Sequence, residues 1–155
     1  MAEKRPHNRT HPRPQVLPGL RRAGQQAVRR CVRLWLPGER PPSWNTYYRG
    51  GHWRKRSAEA QRVHELVYWT AREQLGCEIE PFARPVTVTV TVYFKGRPLD
   101  ASNIPAKLYE DGLHRAGLLV DDSPTYVASV TTQSRLATDE QPPGVEIIIE
   151  EAGHS

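Results

Sequence analysis

The chain has 155 residues, with 22 Lys and Arg against 17 Asp and Glu and a formal net charge of +5, a length that fits one domain with a tail. Hydrophobic residues make up 37% and Phe only 2, so the core is modest, while 14 Pro and 11 Gly predict long irregular segments. No stretch approaches the ~20 apolar residues of a membrane helix, no apolar run follows the basic N-terminus as in a secretory signal, and two cysteines, Cys31 and Cys77, make neither a disulfide framework nor a zinc site, so a reducing cytoplasm is expected.

Residues 1–30 carry eight basic side chains (Lys4, Arg5, Arg9, Arg13, Arg21, Arg22, Arg29, Arg30) against Glu3, a net +7, so the remaining residues net −2. With Pro6, Pro12, Pro14 and Pro18 and no aliphatic periodicity, this stretch reads as a disordered tail, either an inert extension or an arm for nucleic acid. Cys31–Leu36 alternates as a short strand, and Pro37, Pro41 and Pro42 end it. From Arg40 to Arg56 there are five positive residues and no acid, with Trp44, Tyr47, Tyr48 and Trp53 interleaved. Cations contact phosphates and aromatic faces stack on exposed bases; the same residues also suit a solvated loop whose aromatics pack on the core.

Ser57 is the expected N-cap of a helix over 58–75, with Glu59 in its first turn and Ala60, Val63, Leu66, Val67, Ala71 and Leu75 on one face before Gly76. Val86–Phe94 alternates Val with Thr and predicts a strand, broken at Lys95-Gly96-Arg97-Pro98. A second helix is expected over about 104–116, capped by Ser102 or Asn103, with Pro105 in its first turn and Gly117 at its end. Tyr126–Thr132 and Val145–Glu150 read as two further strands. The expected class is α+β, a two-layer domain over 31–151 in the order β-α-β-α-β-β with a mixed sheet, followed by a short tail at 152–155.

The chemistry concentrates between Leu99 and Ser123. Asp100 follows the long strand; Asn103, Lys107 and Asp111 recur at i, i+4 and i+8, nearly one helix face; Asp121 and Asp122 stand before the next strand. Carboxylates gathered in this way can hold a hard cation such as Mg²⁺ against a phosphate, with a lysine to neutralise charge in the transition state. Each residue also has a plain structural reading: Lys107 and Asp111 as a surface pair, Asp121-Asp122-Ser123-Pro124 as a turn, Asp100 as a loop residue. The histidines have no partner at metal spacing, so none is expected as a ligand or catalyst, and a nucleic-acid contact by His52 in the basic loop is the lesser reading of that residue. No Gly-rich phosphate loop is present, so no nucleotide cofactor is expected.

Two segments together resemble a known family. Leu36–Arg49 (LPGERPPSWNTYYR) is similar to the opening strand and Pro-Pro-Ser-x-Asn-x-Tyr-Tyr loop of RusA-type Holliday junction resolvases. Asp100, Ser102, Asn103, Lys107, Asp111-Gly112-Leu113, Ala116-Gly117 and Asp121-Asp122 resemble that family's active-site signature, in the same order. The resemblance implies a small homodimeric, Mg²⁺-dependent endodeoxyribonuclease, with Mn²⁺ a possible substitute, that nicks four-way DNA junctions in a bacterial or phage cytoplasm. It implies Asp100 and Asp122 as metal ligands and Asp121 as an adjacent ligand. Lys107 would be the essential lysine, and Ser102, Asn103 and Asp111 would support the site. Asn45, Tyr48, Arg49, Arg54, Lys55 and Arg56 would contact DNA.

Two features depart from that pattern. Ser102 stands where the better-known pattern has a second Asp, which removes one charge, and three residues rather than two separate Asn103 from Lys107. The wider spacing is accommodated if the helix starts one residue later, as a Pro in the first turn permits. The competing readings are a non-catalytic binder of junctions or DNA and a metal-dependent nuclease acting on other branched DNA.

Overall fold

Alternation of Val with Thr over nine residues dictates a strand with one apolar face, and the computed structural model, which describes residues 28–49 and 53–153, is organised around that strand. In chain order the elements are β1 (Cys31–Pro37), α1 (Trp44–Arg49), α2 (Trp53–Leu75), β2 (Val86–Phe94), a 3₁₀ turn (Ala101–Asn103), α3 (Ala106–Arg115), β3 (Val127–Leu136) and β4 (Gly144–Glu151). The four strands form one mixed sheet in the order β1-β4-β2-β3. β4 runs antiparallel to both β1 and β2, and β3 runs parallel to β2. The class is therefore α+β with a mixed sheet, as expected.

Period-2 patterning decides which face is covered. Val86, Val88, Val90, Val92 and Phe94 are buried with Ile147 and Ile149 of β4 and Leu34 and Leu36 of β1. Against them pack Val63, Val67 and Ala71 of α2 and Leu108, Tyr109 and Leu113 of α3. The two helices meet at Gly112, where a Cβ would lie 2.8 Å from the Cβ of Val67, so a side chain there would force them apart. Among the described residues no helix is long and apolar enough to cross a membrane.

Four boundaries differ from expectation, each for a local reason. The Pro-Pro-Ser segment opens a helix rather than a loop: Ser43 Oγ accepts the Thr46 N–H at 3.0 Å, capping α1 at its N3 position. α2 begins at Trp53, so Ser57 lies inside it and caps nothing; Arg54, Lys55 and Arg56 are good helix formers that extend the first turn. α3 begins at Ala106, later than expected, with Pro105 at its N-cap position. Ser102 and Asn103 therefore sit in the preceding 3₁₀ turn and cap nothing. β3 runs on to Leu136 because it pairs with β2 along the whole length to Phe94, although its outer half lacks apolar alternation.

The basic stretch at residues 1–27, with His7 and His11, lies outside the described residues, as do His52, Gly50 and Gly51. Arg30 is joined to the domain: its Nη2 donates to the Glu80 carbonyl at 2.7 Å and its guanidinium lies 4.2 Å from the Phe82 ring centroid.

One buried polar network locks the helices to the exit of β1. Glu39 is 7% exposed, and its carboxylate accepts both arms of the Arg62 guanidinium, at 2.9 and 3.0 Å. Tyr109 Oη donates to the same carboxylate at 3.1 Å, and Arg62 also binds Glu59. Burial, then the Glu39 charge, pushes the Tyr109 hydroxyl well above its ordinary pKa, so it stays a donor. Removing Arg62 strands a buried anion, whereas removing the Tyr109 hydroxyl leaves the anion its fork. Arg62→Ala is expected to cost about 3 kcal/mol and Tyr109→Phe less, about 1.5 kcal/mol, in urea unfolding. Equal costs would show that the guanidinium is not the main partner of Glu39.

Candidate functional site

Helix geometry places Lys107 in the first turn of α3 and Asp111 one turn further on, with Nζ 3.0 Å from Asp111 Oδ1. The same ammonium donates to Asp122 Oδ2, fifteen residues away in the turn before β3. Asp121 Oδ1 in turn accepts the Asp122 N–H at 2.7 Å, which fixes that turn. Lys107 thus joins Asp111, one helical turn away, to Asp122 in the turn before β3, with Asp121 beside it. The Lys107 bond, then the bond to Asp121, holds the Asp122 carboxyl below its ordinary range, while Asp122 holds the Lys107 ammonium above its own.

Two residues border this cluster that the sequence did not place there, Glu110, which drew no attention, and His64, a histidine without a partner at metal spacing. Glu110 is 9% exposed; burial pushes its carboxyl up, while the Lys107 charge opposes that shift. Its position three residues after Lys107 was the available signal. His64, from α2, has Nε2 4.0 Å from Asp111 Oδ2, and this buried nitrogen makes no hydrogen bond; burial lowers its pKa. No sequence spacing links it to Asp111, because the contact depends on how α2 and α3 pack.

Asp100 is held differently. The turn that carries it is fastened over β3 by two hydroxyls, Thr132 Oγ1 to the Ala101 carbonyl at 2.7 Å and Ser134 Oγ to the Leu99 carbonyl at 2.6 Å. Asp100 and Asn103 line a cavity of about 360 Å³ with Arg40 and Arg97. The Arg40 guanidinium is positioned by the Arg97 carbonyl, 3.3 Å away, and by the Phe94 ring. Ser102 is exposed on the same turn.

The basic, aromatic segment adjoins this turn. Asn103 Oδ1 accepts the Asn45 N–H at 3.3 Å, so α1 and the acidic segment are in contact. Trp44, Tyr47 and Tyr48 pack on one another, with Trp44 and Tyr48 stacked at 5.2 Å, and Tyr48 and Trp53 are left 61% and 65% exposed. Arg40 also lines a second cavity, of about 420 Å³, with Tyr47, Lys55 and Arg56. Arg49 and Arg54 are exposed, and the Arg54 guanidinium lies over the Trp53 ring.

Among the described residues no three His, Cys, Asp or Glu side chains are grouped to hold a metal ion. Asp100 lines a cavity with Arg40 and Arg97, whereas Asp122 is paired with Lys107. The donor chemistry still suits a hard cation: Asp111 and Asp122 share one positive charge, that of Lys107, and Asp121 stands beside them, all with oxygen donors. What the arrangement provides at once is a cation held between carboxylates, next to a cationic, aromatic surface.

The ion pair makes a measurable statement. Because the Asp122 pKa is depressed in the folded chain, its contribution is complete above the ordinary value of 3.8 and is lost as pH falls through the lower folded value. NMR titration of the Asp122 carboxyl is expected to give a midpoint below 3.8, which Lys107→Met raises toward 3.8. A midpoint that does not respond to Lys107→Met would dissolve the pair.

A scan of protein-family models finds no match to the chain, and a search of curated proteins finds none either.

Proposed function

We propose that the protein is a Mg²⁺-dependent, structure-specific endodeoxyribonuclease that resolves four-way DNA junctions as a homodimer, the activity of the RusA-type family it resembles. One observation carries the reading. The Asn45–Asn103 hydrogen bond joins the cationic aromatic helix α1 to the 3₁₀ turn that carries Asp100, and that turn leads directly into α3, which carries Lys107 and Asp111.

Each group has a task in this reading. Asn45, Arg49, Arg54, Lys55 and Arg56 bind the phosphate backbone, and the exposed rings of Tyr48 and Trp53 stack on bases unpaired at the branch. Asp121 and Asp122, with Asp100 on the preceding turn brought toward them, would hold a divalent cation, which would supply the positive charge that polarises the phosphoryl group. Lys107 spends two of its three N–H donors on Asp111 and Asp122 and has one left for a phosphate oxygen. Its pKa, raised by Asp122, keeps that donor charged throughout the working range of pH. Asn103 and Asp111 orient the reacting groups, and Arg40 and Arg97 beside Asp100 add positive charge for the incoming strand.

Ser102 favours a second reading, a non-catalytic junction binder, because a neutral hydroxyl replaces a carboxylate on the turn that carries Asp100. The two separate in one assay on a labelled four-way junction with and without Mg²⁺. Cleavage is expected only with Mg²⁺ or Mn²⁺, and Asp122→Asn is expected to reduce it about 100-fold or more while leaving junction affinity unchanged. Binding with no cleavage at any divalent concentration would select the binder. Cleavage by Asp122→Asn at the wild-type rate would refute the site. Competition with a linear duplex and a replication fork of equal length distinguishes a junction enzyme from one acting on other branched DNA.

A further inference from the structure

The cavity of about 420 Å³ lies between the Arg40-Pro41-Pro42 segment, α1 and the first turns of α2. Arg40 lines both this cavity and the one bordered by Asp100 and Asn103, so the two adjoin. The proposed function uses this region only as a surface, whose exposed rings and cations meet DNA from outside. A concavity asks for a ligand that enters it. Its volume falls in the range of about 300–1,000 Å³ common for small-molecule sites, and a duplex does not fit.

Two kinds of chemistry line the walls. Pro41, Pro42 and the Tyr47 ring give apolar surface. Tyr47 is held by edge contacts with Trp44 and Tyr48, at 5.8 and 5.4 Å, and packs against the core. Arg40, Lys55 and Arg56 supply cations, and among the described residues none of them is paired with a carboxylate. Arg40 is already oriented by the Phe94 ring and the Arg97 carbonyl. Glu59 is the acid of the lining, and its charge is offset by Arg62, whose Nη2 donates to Oε1 at 2.7 Å. A carboxylate has capacity for further donors, so Glu59 can still accept an N–H. Thr46 Oγ1 accepts the Ser43 hydroxyl at 2.8 Å, which leaves the Thr46 proton for a ligand.

We propose that this cavity takes one nucleotide of an unpaired DNA strand. The phosphate lies against Arg40, Lys55 and Arg56, and the base lies against Tyr47 and the two prolines with its polar edge toward Thr46 and Glu59. Unpaired cations select an anion, apolar walls select a flat ring attached to it, and a donor beside an acceptor selects a ring with hydrogen-bonding edges. Free phosphate satisfies only the first of these demands. The inference rests on the proposed function for the source of the nucleotide, a base unpaired at the branch. Seating that nucleotide fixes the register of the strand beside the Asp100 turn, because Arg40 borders both cavities.

The test uses the full-length protein in EDTA, so that no cleavage step enters. Deoxyadenosine monophosphate, added in an NMR titration, is expected to give saturable shifts of the Thr46, Tyr47, Lys55 and Glu59 amides, and inorganic phosphate at the same concentration is not. Thr46→Trp fills the cavity and is expected to remove the response. Lys55→Glu, at an exposed position, serves if Thr46→Trp does not fold, and is expected to weaken the nucleotide about 10-fold. Shifts that phosphate alone reproduces, or that persist unchanged in a folded variant, overturn the inference. DNA as the source is tested with a four-way junction whose branch-point nucleotides lack their bases. Wild type is expected to bind it about 10-fold more weakly than the intact junction, and Thr46→Trp to lose most of that difference. Equal binding of the two junctions by wild type overturns the inference. So does a mononucleotide complex that the intact junction does not displace, which marks a site for free nucleotides. The nuclease reading fails separately: a protein that passes both tests yet cuts nothing with Mg²⁺ counts against that reading alone. One that cuts junctions but fails these tests counts against the cavity alone.

Discussion

A carboxylate removed from water must find full compensation, and Glu39 finds it in one guanidinium fork and one phenol. The rest of the site depends on this arrangement. Glu39 is the last residue before Arg40-Pro41-Pro42, so anchoring it fixes where the cationic segment leaves β1. Arg62 belongs to α2, and Tyr109 lies on α3 between Lys107 and Asp111. A single buried anion therefore sets the helix that carries the lysine and the segment that carries the arginines in one frame. Neither Arg62 nor Tyr109 touches the cluster, yet both decide where it stands.

The sheet fixes the other half of the site. Parallel pairing of β3 with β2 brings Thr132 and Ser134 beneath the loop that leaves β2. Their hydroxyls bond to the Ala101 and Leu99 carbonyls, which a loop packed on a strand would otherwise leave unsatisfied. An apolar residue at either position would pack well and lose the turn. This is why β3 departs from apolar alternation on its covered face, and why its second half is hard to recognise as a strand from sequence alone.

Local chemistry was legible and long-range geometry was not. Val86–Phe94 announces itself because alternation is a property of the strand alone, and Gly76 and Gly117 mark helix ends because they adopt positive φ, +94° and +88°. The Lys107–Asp111 pair follows from helical spacing. The Lys107–Asp122 contact was suggested by shared chemistry, but no periodicity demands it. His64 beside Asp111 and Glu39 beneath Tyr109 were illegible, since each results from how α2 and α3 cross, and that crossing is set by the missing side chain at Gly112. Ser43 could have been identified as a cap; two preceding prolines disguised a helix start as a loop.

Charge placement connects the fold to its chemistry. A stretch of +7 at 1–30 and another of +5 at 40–56 leave a net −7 for everything else. Carboxylates gathered together repel one another, so the cluster is tolerable only if its charge is offset on site. Lys107 offsets part of it, lying between Asp111 and Asp122 rather than pointing to solvent. Arg40 and Arg97 line the same cavity as Asp100 and add positive potential there. The remaining negative charge lies on oxygen donors, the chemistry that suits a hard cation.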